Sequence, residues 1–301
     1  MLEGRVAIVT GAGNGIGRAI ALAMARHGAQ VVVNDIGTSL SGEGASDGPA
    51  QAVVAEIAAA GGQAIASTES VASEAGAHRM VAQAVEAFGR IDIVVNNAGI
   101  LRDRMFHRMS EDEWQAVLAV HLHGSFHTSR AAAPHFKEQG YGRLIHMTSG
   151  AGLIGNIGQA NYAAAKMGIV GLSRSIALDM QKFGVCSNCI APVAWSRMVA
   201  SIPADTPEKK ALAEKRERLM SPDKIAPLAV FLASEGAAGV TGQVFGVRAN
   251  EVIVYSQPRP VRSIHRGEGW TADGLAQAMP SLQHSLVPLE TTVDVFSGDP
   301  I

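Results

Sequence analysis

Short apolar runs and helical spacings take turns along this chain almost from its first residue. Residues 5–10, RVAIVT, make a β-branched run of strand length. After the turn GAGNGIG the spacing becomes the helical repeat of RAIALAMARHGA, which stops at Gly28. QVVVND predicts a second strand ending in Asp35. The exchange of textures continues with a helix over PAQAVVAEIAAAGG, a strand at QAIAS and a helix from about residue 74 to 88, then a strand at IDIVVNNAG and a long helix from about 111 to 136. A fifth strand, RLIHMTS, delivers Ser149, and a helix over 158–183 carries Tyr162 and Lys166. VCSNCIA predicts a sixth strand, SPDKIAPLAVFLAS a capped helix and GQVFGV the last strand.

Strands that are apolar on both sides and alternate with helices belong to a parallel sheet covered on both faces. The expected fold class is α/β, a Rossmann-like doubly wound parallel sheet in three layers. The expected single domain spans 1–248. From about residue 249 prolines break the pattern and no second core is visible, so 249–301 reads as a C-terminal extension that packs on the same domain or on a neighbouring subunit. Two other stretches stand apart. The Gly/Ser-rich run 36–48 predicts a surface loop, and the charged segment from about 200 to 220 reads equally as a flap over a cleft or as a solvated helix.

Composition narrows the classes of function. Apolar residues are 47% of the 301 and charged ones 17%, enough for a large core and too little charge for a disordered chain. The net charge of -2 supplies no basic field for nucleic acid. No apolar run has membrane-spanning length and no basic-then-apolar leader precedes the first strand, so a cytoplasmic, reducing setting without a membrane partner is expected. Cys186 and Cys189 form a C-x-x-C, but strand spacing turns them to opposite faces, which predicts two structural thiols. His123 and His127 have i, i+4 spacing without an evident third ligand, so no metal is expected.

Chemistry gathers where strands end. Glycines at 11, 15 and 17 lie between a strand and a helix, where they permit a tight turn, a close approach of backbone N–H groups to a pyrophosphate, and close packing of the helix. Asp35 follows about twenty residues on, where a dinucleotide site places the acid that holds the adenosine ribose. A carboxylate there accepts two ribose hydroxyls and repels a 2′-phosphate, and no basic residue at Ala12, Gly13 or Asn14 offsets it. The expected cofactor is NAD. Ser70-Val71 and Asn97-Ala98-Gly99 also fall at strand ends. Tyr162 and Lys166, one helical turn apart, put an ammonium beside a phenol, which predicts a phenol pKa lowered toward neutrality, and Ser149 folds back toward the same point.

TGAGNGIG at 10–17, NNAG at 96–99, Ser149 and YAAAK at 162–166 together resemble the short-chain dehydrogenase/reductase family over residues 5 to about 247. Within it VVVNDIG, NNAGILRDRMF, VHLHGSF, GQANYAAAK and NCIAPVAWSRM are similar to the (3R)-hydroxyacyl-CoA dehydrogenase unit of peroxisomal multifunctional enzymes and its bacterial stand-alone relatives, some of them hydroxysteroid dehydrogenases. The resemblance implies Tyr162 as general acid/base, Lys166 as its tuner and ribose ligand, and Ser149 as the partner of the carbonyl oxygen. It further implies Gly11, Asn14, Gly15, Ile16 and Gly17 around the phosphates, Asp35 at the ribose, Ser70 and Val71 at adenine, and Asn97, Ala98 and Gly99 along the cleft. His121 stands where many members carry a relay Asn, Val193 where they carry Gly, and Ser196 is the substitute for their carboxamide-binding Thr. The implied function is hydride transfer between nicotinamide and a secondary alcohol, a 3-hydroxyacyl-CoA or a steroid, in a homodimer or homotetramer. A 3-oxoacyl carrier-protein reductase and a dinucleotide-responsive binding protein are the alternatives.

Overall fold

The computed structural model describes residues 1–39, 41–44, 46–194 and 205–297. Eight strands form one sheet in the order β3-β2-β1-β4-β5-β6-β7-β8. They are β1 (Val6–Thr10), β2 (Gln30–Asn34), β3 (Ala64–Ser67), β4 (Ile93–Asn96), β5 (Gly142–Met147), β6 (Val185–Val193), β7 (Val244–Arg248) and β8 (Glu251–Val254). The first seven pair in parallel.

The period of two in the strands divides the core between two faces. In β1, Ala7 and Val9 join the layer of α1 (Gly15–Arg26), α2 (Gly48–Ala59) and a later helix, Ala226–Ala233. Val6 and Ile8 join the opposite layer, with α3 (Glu74–Phe88) and the helix around Phe136. Ile93 and Val95 against Val94 repeat the division in β4. Burial on both sides explains why these strands are apolar at consecutive positions.

Two expectations change. The long helix predicted over 111–136 consists of α4 (Glu111–Leu118), a π-helical turn at Ala119–His123 and α5 (Gly124–Gln139). The π turn adds a residue to the helical repeat at the place where His121 is carried inward. The sheet also does not end at 244–247. β8 pairs antiparallel with β7 through Arg248↔Glu251, across a tight turn in which Ala249 has φ 53. The strand has four residues and its outer positions Val252 and Val254 are exposed, so its alternation is a weak signal beside the prolines that follow.

Of the remaining helices, α6 (Gly150–Leu153) is a single turn and α7 (Ala160–Met180) carries Tyr162 and Lys166. α8 (Pro207–Leu219) lies in the charged segment, followed by α9 (Ala226–Ala233), α10 (Ala272–Ala278) and α11 (Thr292–Val295). The two cysteines are buried and free: the Cys186 thiol donates to Ala238 O at 3.4 Å, and Cys189 packs with Ile169, Val170 and Val244. His127 Nδ1 lies 3.1 Å from Val71 O. Among the described residues no helix is long and apolar enough to cross a membrane.

Candidate active site

The carboxyl ends of β1 to β4 open into a cleft of about 390 Å³ lined by Gly11, Asn14, Gly15 and Ile16 on one side and by Asp35, Ser70, Val71, Asn97, Ala98 and Gly99 on others. Each glycine of the turn has its own reason to lack a side chain. A Cβ at Gly11, whose φ is 62, would stand 2.8 Å from Ala98 Cα. At Gly17 it would stand 2.3 Å from Gly11 O and 2.5 Å from Asn97 Nδ2, so this glycine lets α1 close on the turn. Gly15 differs: nothing lies within 4 Å of its missing Cβ. That open space beside the N-terminus of α1, where unpaired N–H groups point outward and no acid occupies the first turn, fits an anionic diphosphate.

Asp35 is held in this wall by two backbone donors. Its Oδ2 accepts from Gly13 N at 2.8 Å and its Oδ1 from Gly37 N at 2.7 Å. The carboxylate is thereby aimed before any ligand arrives. Asn97 is spent on the scaffold, donating from Nδ2 to Thr10 O at 2.9 Å and Gly11 O at 3.1 Å.

Next to Gly99 and Ile100 lies a second cluster. Tyr162 packs with Ile100, Val117 and Ala165, and its ring meets the edge of His121 at 5.2 Å between centroids. His121 Nε2 lies 3.1 Å from Ile100 N and 2.9 Å from Ile100 O, whereas its Nδ1 has no partner. Burial first, and the Lys166 charge second, push its pKa down to about 3, so the imidazole is neutral at neutral pH. Ser149 begins α6 as its cap, its Oγ accepting from Ala151 N at 3.2 Å.

The lysine's hydrogen bond goes to the backbone of β5. Lys166 Nζ donates to Met147 O at 2.6 Å and stands 5.5 Å from the centre of the Tyr162 ring. Burial lowers Lys166 to about 7, which removes much of its charge near neutrality. Burial likewise raises the Tyr162 hydroxyl to about 12, with the Ser149 hydrogen bond pulling downward and the Asp103 charge adding to the rise. Desolvation is the largest influence on the phenol in the unliganded site.

The family profile of the short chain dehydrogenases matches residues 5–206. The chain belongs to the short chain dehydrogenase family. It is an oxidoreductase acting on CH–OH groups, and the family works with a nicotinamide dinucleotide. The hydroxyacyl-CoA dehydrogenase ChsB1 of Mycobacterium tuberculosis is 44% identical over 285 residues, 91% of this chain and 84% of that one. The peroxisomal multifunctional enzyme type 2 of Mus musculus is 43% identical over 278 residues, 89% of this chain and 36% of the enzyme, so the likeness concerns one unit of a longer protein. In three dimensions a short chain dehydrogenase from Mycobacterium avium superposes with a TM-score of 0.83 at 43% identity, covering 96% of this chain and 98% of that one.

For this short chain dehydrogenase the cleft brings together most of the residues singled out from sequence. Gly11, Asn14, Gly15, Ile16, Asp35, Ser70, Val71, Asn97, Ala98 and Gly99 border it, whereas Ser149, Tyr162, Lys166 and His121 cluster behind its Gly99 end, outside the lining. Gly17 packs behind the wall instead of lining it. Val193 ends β6, half-buried and outside the lining, and Ser196 lies outside the described residues. Asn34, Ile36, Glu69 and Arg102 line the cleft without having been singled out. Ile36 and Glu69 were readable as neighbours of Asp35 and Ser70. Arg102 was not, because it reaches the cleft through a contact of its Nε with Ser41 O across 61 residues of chain.

Proposed function

We propose that this chain is an NAD-dependent dehydrogenase of a secondary alcohol whose substrate class is a (3R)-3-hydroxyacyl-CoA, with a hydroxysteroid as the next candidate. The observation that carries the cofactor choice is the Asp35 carboxylate, fixed by Gly13 N and Gly37 N at the rim of the cleft. It can accept from ribose hydroxyls and would repel a 2′-phosphate. The acyl-CoA class is supported by the hydroxyacyl-CoA dehydrogenase among the relatives.

When bound, the nicotinamide supplies the exchange of a hydride with the carbinol carbon. Gly11, Asn14, Gly15 and Ile16 would hold the phosphates, Asp35 the adenosine ribose, and Ser70 and Val71 the adenine, while Asn97, Ala98 and Gly99 would line the cleft along the cofactor. Tyr162 gives a proton to the substrate oxygen as the ketone is reduced and takes it back as the alcohol is oxidised. Ser149 donates to that same oxygen and steadies the charge that grows on it. Lys166, poised to change protonation near neutrality, would contact the nicotinamide ribose and replace the proton lost from Tyr162. His121 holds the tyrosine ring from the side. Exposed apolar residues such as Phe126 and Leu178 on the helices support a homodimer or homotetramer.

The test is NADH formation, followed by its near-ultraviolet absorbance, with a (3R)-3-hydroxyacyl-CoA, its (3S) isomer, a hydroxysteroid and no substrate. Turnover of the (3R) thioester with NAD is the expected result. Turnover of a 3-oxoacyl carrier protein with NADPH alone would instead make the chain a reductase, and cofactor binding without turnover of any substrate would make it a binding protein.

A further inference from the structure

The segment following β8 returns to the catalytic serine. Thr292, at the start of α11, donates to Gly155 O from its backbone N at 3.0 Å and from Oγ1 at 3.1 Å, joining positions 137 residues apart. Its methyl group presses on Gly150: a Cβ there would lie 2.7 Å from Thr292 Cγ2 and 3.2 Å from Oγ1. Within the segment 291–297, the side chains of Thr291, Thr292 and Phe296 are half-buried whereas Val293, Asp294 and Val295 are exposed, so one side of α11 faces the loop. A capping box between Thr291 and Asp294 holds that turn, and the Arg248 guanidinium stands 5.6 Å from the centre of the Phe296 ring.

What Thr292 grips is α6, a single turn that cannot be stable by itself, since so short a helix does not recover the cost of nucleation. At its front, Ser149 caps it through Ala151 N, and Gly152 N and Leu153 N return to Ser149 O at 3.0 and 3.1 Å. At its back, Ile154 N and Gly155 N close onto Gly150 O at 2.8 and 3.3 Å. Both residues that Thr292 touches, Gly150 and Gly155, are therefore ends of the same hydrogen-bonded turn. The hydroxyl that caps this turn is also the one assigned to the substrate oxygen, so motion of α6 is motion of that hydroxyl.

We infer that Thr292 is a positioning residue for catalysis, clamping the turn 150–155 so that the Ser149 hydroxyl stays aimed at the substrate oxygen. The inference rests on the proposed function for Ser149. It also explains a glycine directly after that serine: position 150 is the seat of the clamp.

The experiment compares Thr292→Ala, Thr292→Val, Thr292→Ser and Gly150→Ala in the full chain, with Val293→Ala as control. Expected for Thr292→Ala, Thr292→Val and Gly150→Ala is a kcat lower by about tenfold to a hundredfold, the scale of a small misplacement in an active site, with NADH affinity unchanged. Amide exchange at 151–155 should speed up in the same variants. Thr292→Ser keeps Oγ1 and should recover most of the turnover, and Val293→Ala should match the parent. Combining Thr292→Ala with Gly150→Ala should cost no more than either alone, because Thr292→Ala removes the atoms that a side chain at 150 would strike. Parent kcat together with parent exchange in Thr292→Val would overturn the inference, as would a loss in Thr292→Ser equal to that in Thr292→Val. If Thr292→Ala does not fold, the Thr292→Val and Thr292→Ser pair decides. An unaltered chain that oxidises no alcohol refutes the proposed function, and exchange at 151–155 still tests the clamp.

Discussion

The imidazole of His121 occupies the space that a side chain at Gly99 would need: a Cβ built on Gly99 would lie 2.3 Å from His121 Cε1. The glycine of the NNAG run is thus required by a histidine on the π turn, and that histidine in turn flanks Tyr162. Gly99→Ala should push the ring against Tyr162. Overpacking of this kind costs about 1–3 kcal/mol, so a lower Tm and a kcat reduced by about tenfold or more are expected. Thermal unfolding and steady-state turnover would measure both, and a variant with parent values would show that the ring yields freely.

Tyr162→Phe removes the hydroxyl and keeps the ring that packs with Ile100, Val117 and Ala165. A loss of at least about a hundredfold in kcat is expected, with NADH binding retained, the scale of general acid/base catalysis. Turnover at the parent rate would exclude Tyr162 as the proton donor.

Asp35→Ser removes the carboxylate that Gly13 N and Gly37 N hold in the cleft. The proposed preference for NADH over NADPH should fall by about tenfold or more, since the repulsion of a 2′-phosphate goes with the charge. Titration of both cofactors, followed by fluorescence, checks it. An unchanged ratio would place the discrimination elsewhere in the cleft.

Stability should fall on acidification through a window set by two histidines. Burial lowers His121 to about 3 and His146, wholly buried in β5, to about 4, from an ordinary value of 6.5. Between those values the unfolded chain takes up protons that the folded one refuses, so unfolding is favoured as the pH drops below 6.5, by up to about 1.4 kcal/mol per pH unit for each group, and this loss levels off below about 3. Tm measured from pH 7 to 4 should decline, and His146→Gln should make the decline shallower. A Tm flat across that range would contradict the burial of both rings.

Lys166 acts in the higher range. With its pKa lowered to about 7 from 10.5, the folded chain binds fewer protons than the unfolded one between those values, so this group makes stability rise with pH there. Lys166→Met should remove that slope while abolishing turnover, as read from Tm between pH 7 and 10.

The sheet was legible because its strands are buried on both faces. A run such as VVVN in β2 has few other places to be, and the glycines at 11, 15 and 17 announce the turn that follows β1. The candidate residues were legible for a related reason: in a doubly wound sheet the carboxyl ends of all parallel strands come out on one side, so Asp35, Gly99 and Ser149 had to converge once the strands were placed. Less was readable where a contact joins distant parts of the chain. Nothing near Arg102 points to Ser41, and nothing near Thr292 points to Gly155.

Local sequence determined the order of strands and helices, the glycine-rich turn after β1, and the one-turn separation of Tyr162 and Lys166, since these depend on backbone preferences and side-chain period alone. Tertiary structure decided the rest. It made α4 and α5 meet in a π turn, added β8 to the sheet and brought Thr292 onto α6. It also set the solvation of Tyr162 and Lys166, for a physical reason: spacing along a helix sets which groups are neighbours, but only the packing around them sets how much water remains to support a charge.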